Sequence, residues 1–319
     1  MFKYILKRIM ALLLTFLVIV VICFVLVRLL PNELPADKAR AQTEFERRTA
    51  LGYYKPLPEQ LTIYLRHVFT EGDFGVSWKI DFMKDASEII VNRLPPTLIV
   101  NVYSLLVSVP IGIGLGIYAA LRKNRWQDHL VSTLVMLFIS VPSYVYAFLV
   151  QYIFGYRLGW LPLVASSLYD AGGSWTTGIM IRSLILPVLA LSFGTIAGLT
   201  RSTRAELTES LTSDYMLLAR TKGLTKGQAT TRHALKNAMV PVLPSIISSF
   251  IGILYGSLVI ENIFSINGIG NLLVKSIELR DYDVFMATTM FYSLVSLASM
   301  IFIDLSYGFL DPRIRMGAR

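Results

Sequence analysis

The chain has 319 residues, 54% hydrophobic and only 16% charged, with a mean hydropathy of +0.58, which is too apolar for a soluble chain and too evenly spread for one anchored domain. Its net charge of +9 would make nucleic acid a candidate partner of a soluble protein, so the sign must first be read against membrane topology. The single Cys23 excludes a disulfide framework and a cysteine-rich metal site, and His67, His129 and His233, far apart in sequence, form no ligand-spaced pair and read as ordinary polar-segment residues.

A helix crossing the hydrocarbon core needs about 20 mostly apolar residues, because backbone amides in lipid must find partners within the segment. Stretches of that kind run from Ile9 to Leu30, Leu98 to Leu121, Val131 to Gly155, Ser183 to Thr200, Pro241 to Asn262 and Phe285 to Gly308, and the fourth is interrupted by Pro187. The first resembles a signal peptide in its flanks, with Lys3, Lys7 and Arg8 before it and an A-x-A pattern at Ala39 to Ala41 after it. The apolar run exceeds the usual h-region of roughly 7 to 15 residues and the A-x-A lies well beyond it, so a retained anchor is expected.

Six spans place both termini on one side. With the N-terminus inside, the inner segments 1–8, 122–130, 201–240 and 309–319 hold 16 basic residues against five acidic ones, Asp128, Glu206, Glu209, Asp214 and Asp311. The outer segments are nearly balanced, so topology accounts for the charge. Both termini are expected in the cytoplasm, and nucleic acid falls away as a partner.

Residues 31–97 form a long outward-facing segment punctuated by Pro31, Pro35, Pro56, Pro58, Pro95 and Pro96. Gln60 to Thr70 fits an amphipathic helix and Gly72 to Val76 a turn, which predicts a small cap without a sizeable core of its own. It serves either as a docking surface for a solute-delivering protein or as a passive loop. Arg28 and Glu261 sit near the outer ends of their spans, where they can snorkel or pair, and Asp304 near the inner end of the last span fits a structural ion pair.

The segment Arg201 to Val240 is too long for a simple connection and too regular for a disordered one. Asp214 to Gly223, DYMLLARTKG, reads as a short helix with Asp214 at its start, Arg220 and Lys222 in its last turn and Gly223 as its stop. Thr225-Lys226-Gly227-Gln228 then fits a capping box that opens a second helix through His233, Ala234 and Leu235. The result is an elbow whose first arm is about 14 Å long at roughly 1.5 Å per residue. Such a peg suits a transmitter of motion from a soluble partner, or a connector lying on the surface.

At this segment the sequence resembles a known family. DYMLLARTKGLTKGQATTRHALKNAMVPVL is similar to the EAA-type coupling motif of ABC importer permeases, in the version of the B-type subunits of oligopeptide, dipeptide and nickel systems. YILKRI, RLLP, RLPPTL before the second span, LGWLP at Leu158 to Pro162, NIFSINGIGNLL after the fifth and the terminal LDPRIR follow the family order, so the likeness covers essentially the whole chain. It implies an all-α polytopic permease of the type I ABC importer class, with six transmembrane helices and a long extracellular segment after the first. It implies that Asp214, Ala219 and Gly223 hold the motif positions and, with Tyr215 and Lys222, couple to an ATPase, and that Pro241 begins the following helix. The apolar Met216-Leu217-Leu218 departs from many relatives. The resemblance also implies a homologous second permease, two cytoplasmic ATP-binding subunits holding ATP and Mg, an extracellular solute-binding protein, residence in the bacterial cytoplasmic membrane, and peptides as substrate, with nickel or another small solute as the alternative.

No GxxxxGK[ST] phosphate loop occurs in the chain, nor GxSxG or HExxH, so it is expected to be a moving part without cofactor, metal or catalytic residues. No series of carboxylates runs through the spans, which disfavours an ion-driven secondary transporter. Ser245, Ser249, Gly252 and Gly256 recur on one expected helical face, and Ser293, Ser296 and Ser299 on another. Such stripes serve helix packing or line a pathway. Gly112, Gly114 and Gly116 carry the same ambiguity and fit packing better.

Overall fold

The computed structural model describes residues 2–31 and 37–310, excepting the side chains of 2–5, 255 and 304–310. The side chain of Asp304 and the terminal segment beyond Leu310 therefore lie outside the described residues. Helices follow one another as α1 (Phe2–Leu29), α2 (Lys38–Ala50), α3 (Leu57–Arg66), α4 (Ala86–Leu121), α5 (Trp126–Ser140), α6 (Ser143–Val150), α7 (Gly178–Leu211), α8 (Asp214–Thr221), α9 (Lys226–Ala229), α10 (Leu235–Ile251), α11 (Leu258–Ile263), α12 (Ile269–Glu278) and α13 (Tyr282–Leu310). Among the described residues the β pairing is an isolated antiparallel bridge between Val76 and Asp85.

Among the described residues five helical stretches are long and apolar enough to cross a membrane: Leu6–Leu29, Ala86–Leu121, Gly178–Leu211, Lys226–Leu254 and Tyr282–Ile303. The sixth expected span differs. Residues Trp126–Ser140 and Ser143–Arg157 meet at a bend of 104°. Val141, the residue before Pro142, is held extended at φ −87 and ψ 127, because the proline ring disfavours helical backbone in its predecessor. Pro187, in contrast, sits inside an unbroken α7, where Leu184, Leu186 and Val188 around it are buried and packing carries the helix through. The fourth span therefore runs on to Leu211 and takes in the first part of the expected elbow segment.

The chain divides into two compact units, Met1–Pro95 with Asn267–Ile301, and Pro96–Ile266 with Phe302–Arg319. In the first, α1 buries the stripe Phe16, Val20, Phe24 and Val27 against Val68, Met286 and Met290, and leaves Leu13, Leu14, Val18, Ile22 and Leu26 exposed. An apolar helix with one face packed and the other bare suits a bilayer. Within the described part of the 31–97 segment, Val68 joins the cluster built with α1 and α13, and Ala86, Ile89 and Ile90 join one built with α12 and α13. The segment's loops are pinned by acids far away in sequence. Asp281 accepts hydrogen bonds from Ser77 Oγ at 2.6 Å and from the amides of Trp78, Lys79 and Ile80 at 3.2, 3.0 and 2.9 Å. Asp283 accepts from the Tyr53 hydroxyl at 2.8 Å and from Trp78 Nε1 at 3.3 Å. Arg28 stacks over the Tyr53 ring at 3.3 Å. Burial pushes the Glu44 carboxyl on α2 above its usual range, against the opposing pull of Arg48, to which it is hydrogen-bonded, and of Lys79.

In the second unit α7 is the axis. Gly112 and Gly116 of α4 lie against it so closely that a Cβ on either would meet Leu199 Cβ at 2.8 Å or Thr203 Cβ at 2.6 Å, and Thr200 Oγ1 donates to the Gly112 carbonyl at 3.1 Å. These glycines are packing residues. Gly114 faces open space. Glu261, expected to snorkel or pair near an outer end, is buried and accepts from Thr97 Oγ1 at 2.8 Å.

Candidate functional site

Sequence logic and structure agree most closely at the elbow. Ser213 occupies the N-cap position of α8 in extended backbone, and Asp214 puts its charge in the first turn, where free amides favour a carboxylate. The C-terminus closes as a Schellman motif: the Gly223 amide donates to the Arg220 carbonyl at 3.0 Å and the Leu224 amide to the Ala219 carbonyl at 3.3 Å. Gly223 takes φ +88, and nothing lies within 4 Å of the place a Cβ would take, so glycine is required there for backbone conformation and not for space. The capping box is complete, with the Gln228 amide donating to Thr225 Oγ1 at 3.3 Å and the Thr225 amide to Gln228 Oε1 at 3.1 Å.

The second arm does not restart at Pro241. It runs unbroken from Lys226 to Leu254, through π-type turns at Thr230–Ala234, with Pro241 and Pro244 inside it.

The elbow has an apolar core of small side chains. Met216 and Ala219 of α8 pack with Ala229, Ala234 and Ala238 of the second arm, Leu207 near the end of α7 and Ala120 at the end of α4, with Ile117, Leu211, Leu224 and Leu235 around them. This sorts the expected coupling residues. Asp214, Tyr215, Lys222 and Gly223 are exposed, whereas Ala219 is buried and faces inward, so its small size serves the elbow's own packing. The apolar run splits likewise: Met216 is buried at 5% exposure, while Leu217 and Leu218 stand out at 64% and 55%. Burial works against ionisation of the Tyr215 phenol, yet hydrogen bonds with Ser210, Ser213 and Asn237 together hold it below the usual tyrosine range.

Arg204 of α7 grips Asp128 of α5 with two guanidinium nitrogens, Nε at 2.5 Å and Nη2 at 2.8 Å, and the Asn124 amide adds a bond of 3.0 Å to the same carboxylate. The two residues are 76 positions apart, which puts the pair beyond the reach of any local pattern.

The small-residue stripes fare differently. Ser245 and Ser249 share a helical face, and Ser249 Oγ donates to the Ser245 carbonyl at 2.9 Å. Gly252 opens a 3-10 turn and Gly256 lies beyond the helix at φ +61, so the single face ends before it. A Cβ at Gly256 would collide with Glu261 Oε1, which makes that glycine a close-approach residue. Ser293 and Ser299 are buried and return their hydroxyls to the carbonyls of Thr289 and Val295, while Ser296 is exposed.

Long apolar helices, one bent pair and a capped elbow define a polytopic helical membrane protein. Residues 1–101 match the N-terminal family of binding-protein-dependent transport system membrane components, and residues 112–316 match the binding-protein-dependent transport system inner membrane component family. The chain belongs to that family. It is 37% identical to the dipeptide transport system permease protein of Lactococcus lactis, covering 99% of this chain and 100% of that one. It is 36% identical to the glutathione transport system permease protein of Salmonella typhimurium and 35% identical to the dipeptide transport system permease protein of Bacillus subtilis, each over 99% of both chains. The protein is thus a multi-pass inner-membrane component of an ABC importer that works with a solute-binding protein and other subunits.

Proposed function

We propose that the chain forms half of a peptide pathway in an ATP-driven importer, beside a homologous second permease, with both termini cytoplasmic and two ATP-binding subunits acting on its elbow. The observation that carries this reading is the exposed face of α8, where Tyr215, Leu217 and Leu218 stand out from a helix bedded on a packed core. Exposed leucines on a capped peg suit burial in a partner's cleft. The dipeptide and glutathione permeases among the relatives support a peptide-class substrate.

The chain's own part is mechanical. A push on α8 reaches α7, α4 and the second arm together, because Met216 and Ala219 share one close-packed core with all three. Gly112 and Gly116 fasten α4 to α7, and the Asp128–Arg204 pair adds α5. The helices then move as a body, which suits alternating access. ATP and Mg belong to the partner subunits, and the external solute-binding protein delivers the substrate. The residues 31–97 are proposed as its docking surface, held rigid by Asp281 and Asp283.

Isolation of the chain from native membranes in mild detergent, with mass spectrometry of what accompanies it, tests the assembly. Recovery of a second permease and ATP-binding subunits is expected. Recovery of the chain alone, still active in ion-gradient-driven uptake, contradicts it.

A further inference from the structure

A groove of about 370 Å³ opens between α5 and the far part of α7. One wall is apolar, with Val131, Val135 and Met136, and the other end carries His129 and Arg201. Arg204 also borders it, but its charge is committed to Asp128, so that carboxylate and that guanidinium cancel. Arg201 is exposed and makes no ion pair among the described residues, which leaves the groove's mouth positive.

We infer that this groove binds one anionic phospholipid, its phosphate on Arg201 and His129 and an acyl chain along Val131, Val135 and Met136. Three observations carry the inference. The groove joins an apolar wall to a basic mouth, which is the shape of a chain with an anionic head, and basic clefts between transmembrane helices take such head groups. Its place along α7 fits: Arg201 directly follows the apolar stretch Ser183 to Thr200, where charged residues begin. The adjoining ends of α4 and α5 have the aromatic and basic marks of a membrane interface, with Trp126 at 70% exposure and Arg122 stacked on Tyr118 at 3.9 Å. The rest of α5 agrees, since Leu130, Leu134 and Leu137 are bare apolar side chains. The inference needs only the membrane placement of the family and is independent of the coupling role of the elbow.

The test uses the assembled transporter, delipidated in detergent and incubated separately with palmitoyl-oleoyl phosphatidylglycerol, palmitoyl-oleoyl phosphatidylcholine and glycerol 3-phosphate, with bound lipid read by native mass spectrometry. Phosphatidylglycerol should be retained over both others, the first comparison reporting the charge and the second the chain. Arg201→Gln should lower that retention about fivefold, and Met136→Trp, which narrows the apolar wall, should lower it with unchanged recovery of the other subunits. Equal retention of phosphatidylglycerol by the wild type and Arg201→Gln overturns the inference. So does a Met136→Trp complex that keeps its lipid and loses a second membrane subunit, because the groove is then a seam between proteins.

Discussion

The Leu224 amide donates to the Ala219 carbonyl at 3.3 Å, folding the chain back across Gly223 and setting Leu224 on the same apolar core as Ala219. The direction of the second arm is therefore fixed by a turn that one backbone conformation permits.

Gly223→Ala places a side chain at φ +88, at a cost of roughly 1–2 kcal/mol. Because space is open there, the variant should fold and insert, with a modest fall in uptake per ATP hydrolysed. Gly223→Pro cannot adopt that φ at all and should insert yet separate hydrolysis from uptake. Paired ATPase and uptake assays in proteoliposomes check both, and normal uptake by the proline variant would remove the elbow from the mechanism.

Gly116 and Gly114 are neighbours with opposite surroundings. A Cβ at Gly116 meets Thr203 Cβ at 2.6 Å and the Thr200 carbonyl at 2.9 Å, whereas Gly114 has nothing within 4 Å. Gly116→Val should cost roughly 1–3 kcal/mol by forcing α4 from α7, and Gly114→Val should be tolerated. Thermal unfolding in detergent, followed by solubility after heating, separates them; equal melting points would deny the close contact.

Asp281 gathers four donors from Ser77 to Ile80. In Asp281→Asn the charge is lost and one oxygen becomes a donor facing other donors, so the loop should loosen by about 2 kcal/mol or more. Faster amide exchange over residues 77–81 with unchanged exchange in α8 is the expected result. Uniform exchange would mean that the loop is held by other contacts.

Glu44 gives a pH dependence of known sign. Its folded-state pKa is raised by burial, so the folded protein binds the proton more tightly than the unfolded chain does. The associated stability is fully present below the unfolded value and is lost as pH rises through the raised folded value. Protease resistance of α2 should therefore improve on mild acidification, and Glu44→Gln should flatten that dependence. An unchanged pH profile in the variant assigns it to another group.

The elbow is legible in the sequence because its signals are local: Thr225 and Gln228 are three residues apart, and Gly223 follows the last turn it ends. The bend at Pro142 is not, since Pro142 and Pro187 look alike in sequence and differ in the burial around them. Periodicity also runs Gly256 onto a helical face that a positive φ interrupts. The motif alanine, Ala219, reads like a contact residue because a pattern marks position and not direction; only the fold turns it inward. The Tyr53–Asp283 and Ser77–Asp281 bonds join residues 230 and 204 positions apart, which no local rule reaches.

Replacing the two exposed leucines of α8 tests whether this face joins the chain to its ATP-binding subunits. In a Leu217→Glu, Leu218→Glu variant the elbow core of Met216 and Ala219 is untouched, so the chain should insert and keep its second permease. Co-purification of the ATP-binding subunits, measured alongside ATP-driven uptake, should fall steeply, because two charges would enter an apolar cleft. Full recovery of those subunits with undiminished uptake would contradict the account and place the coupling surface elsewhere on the chain.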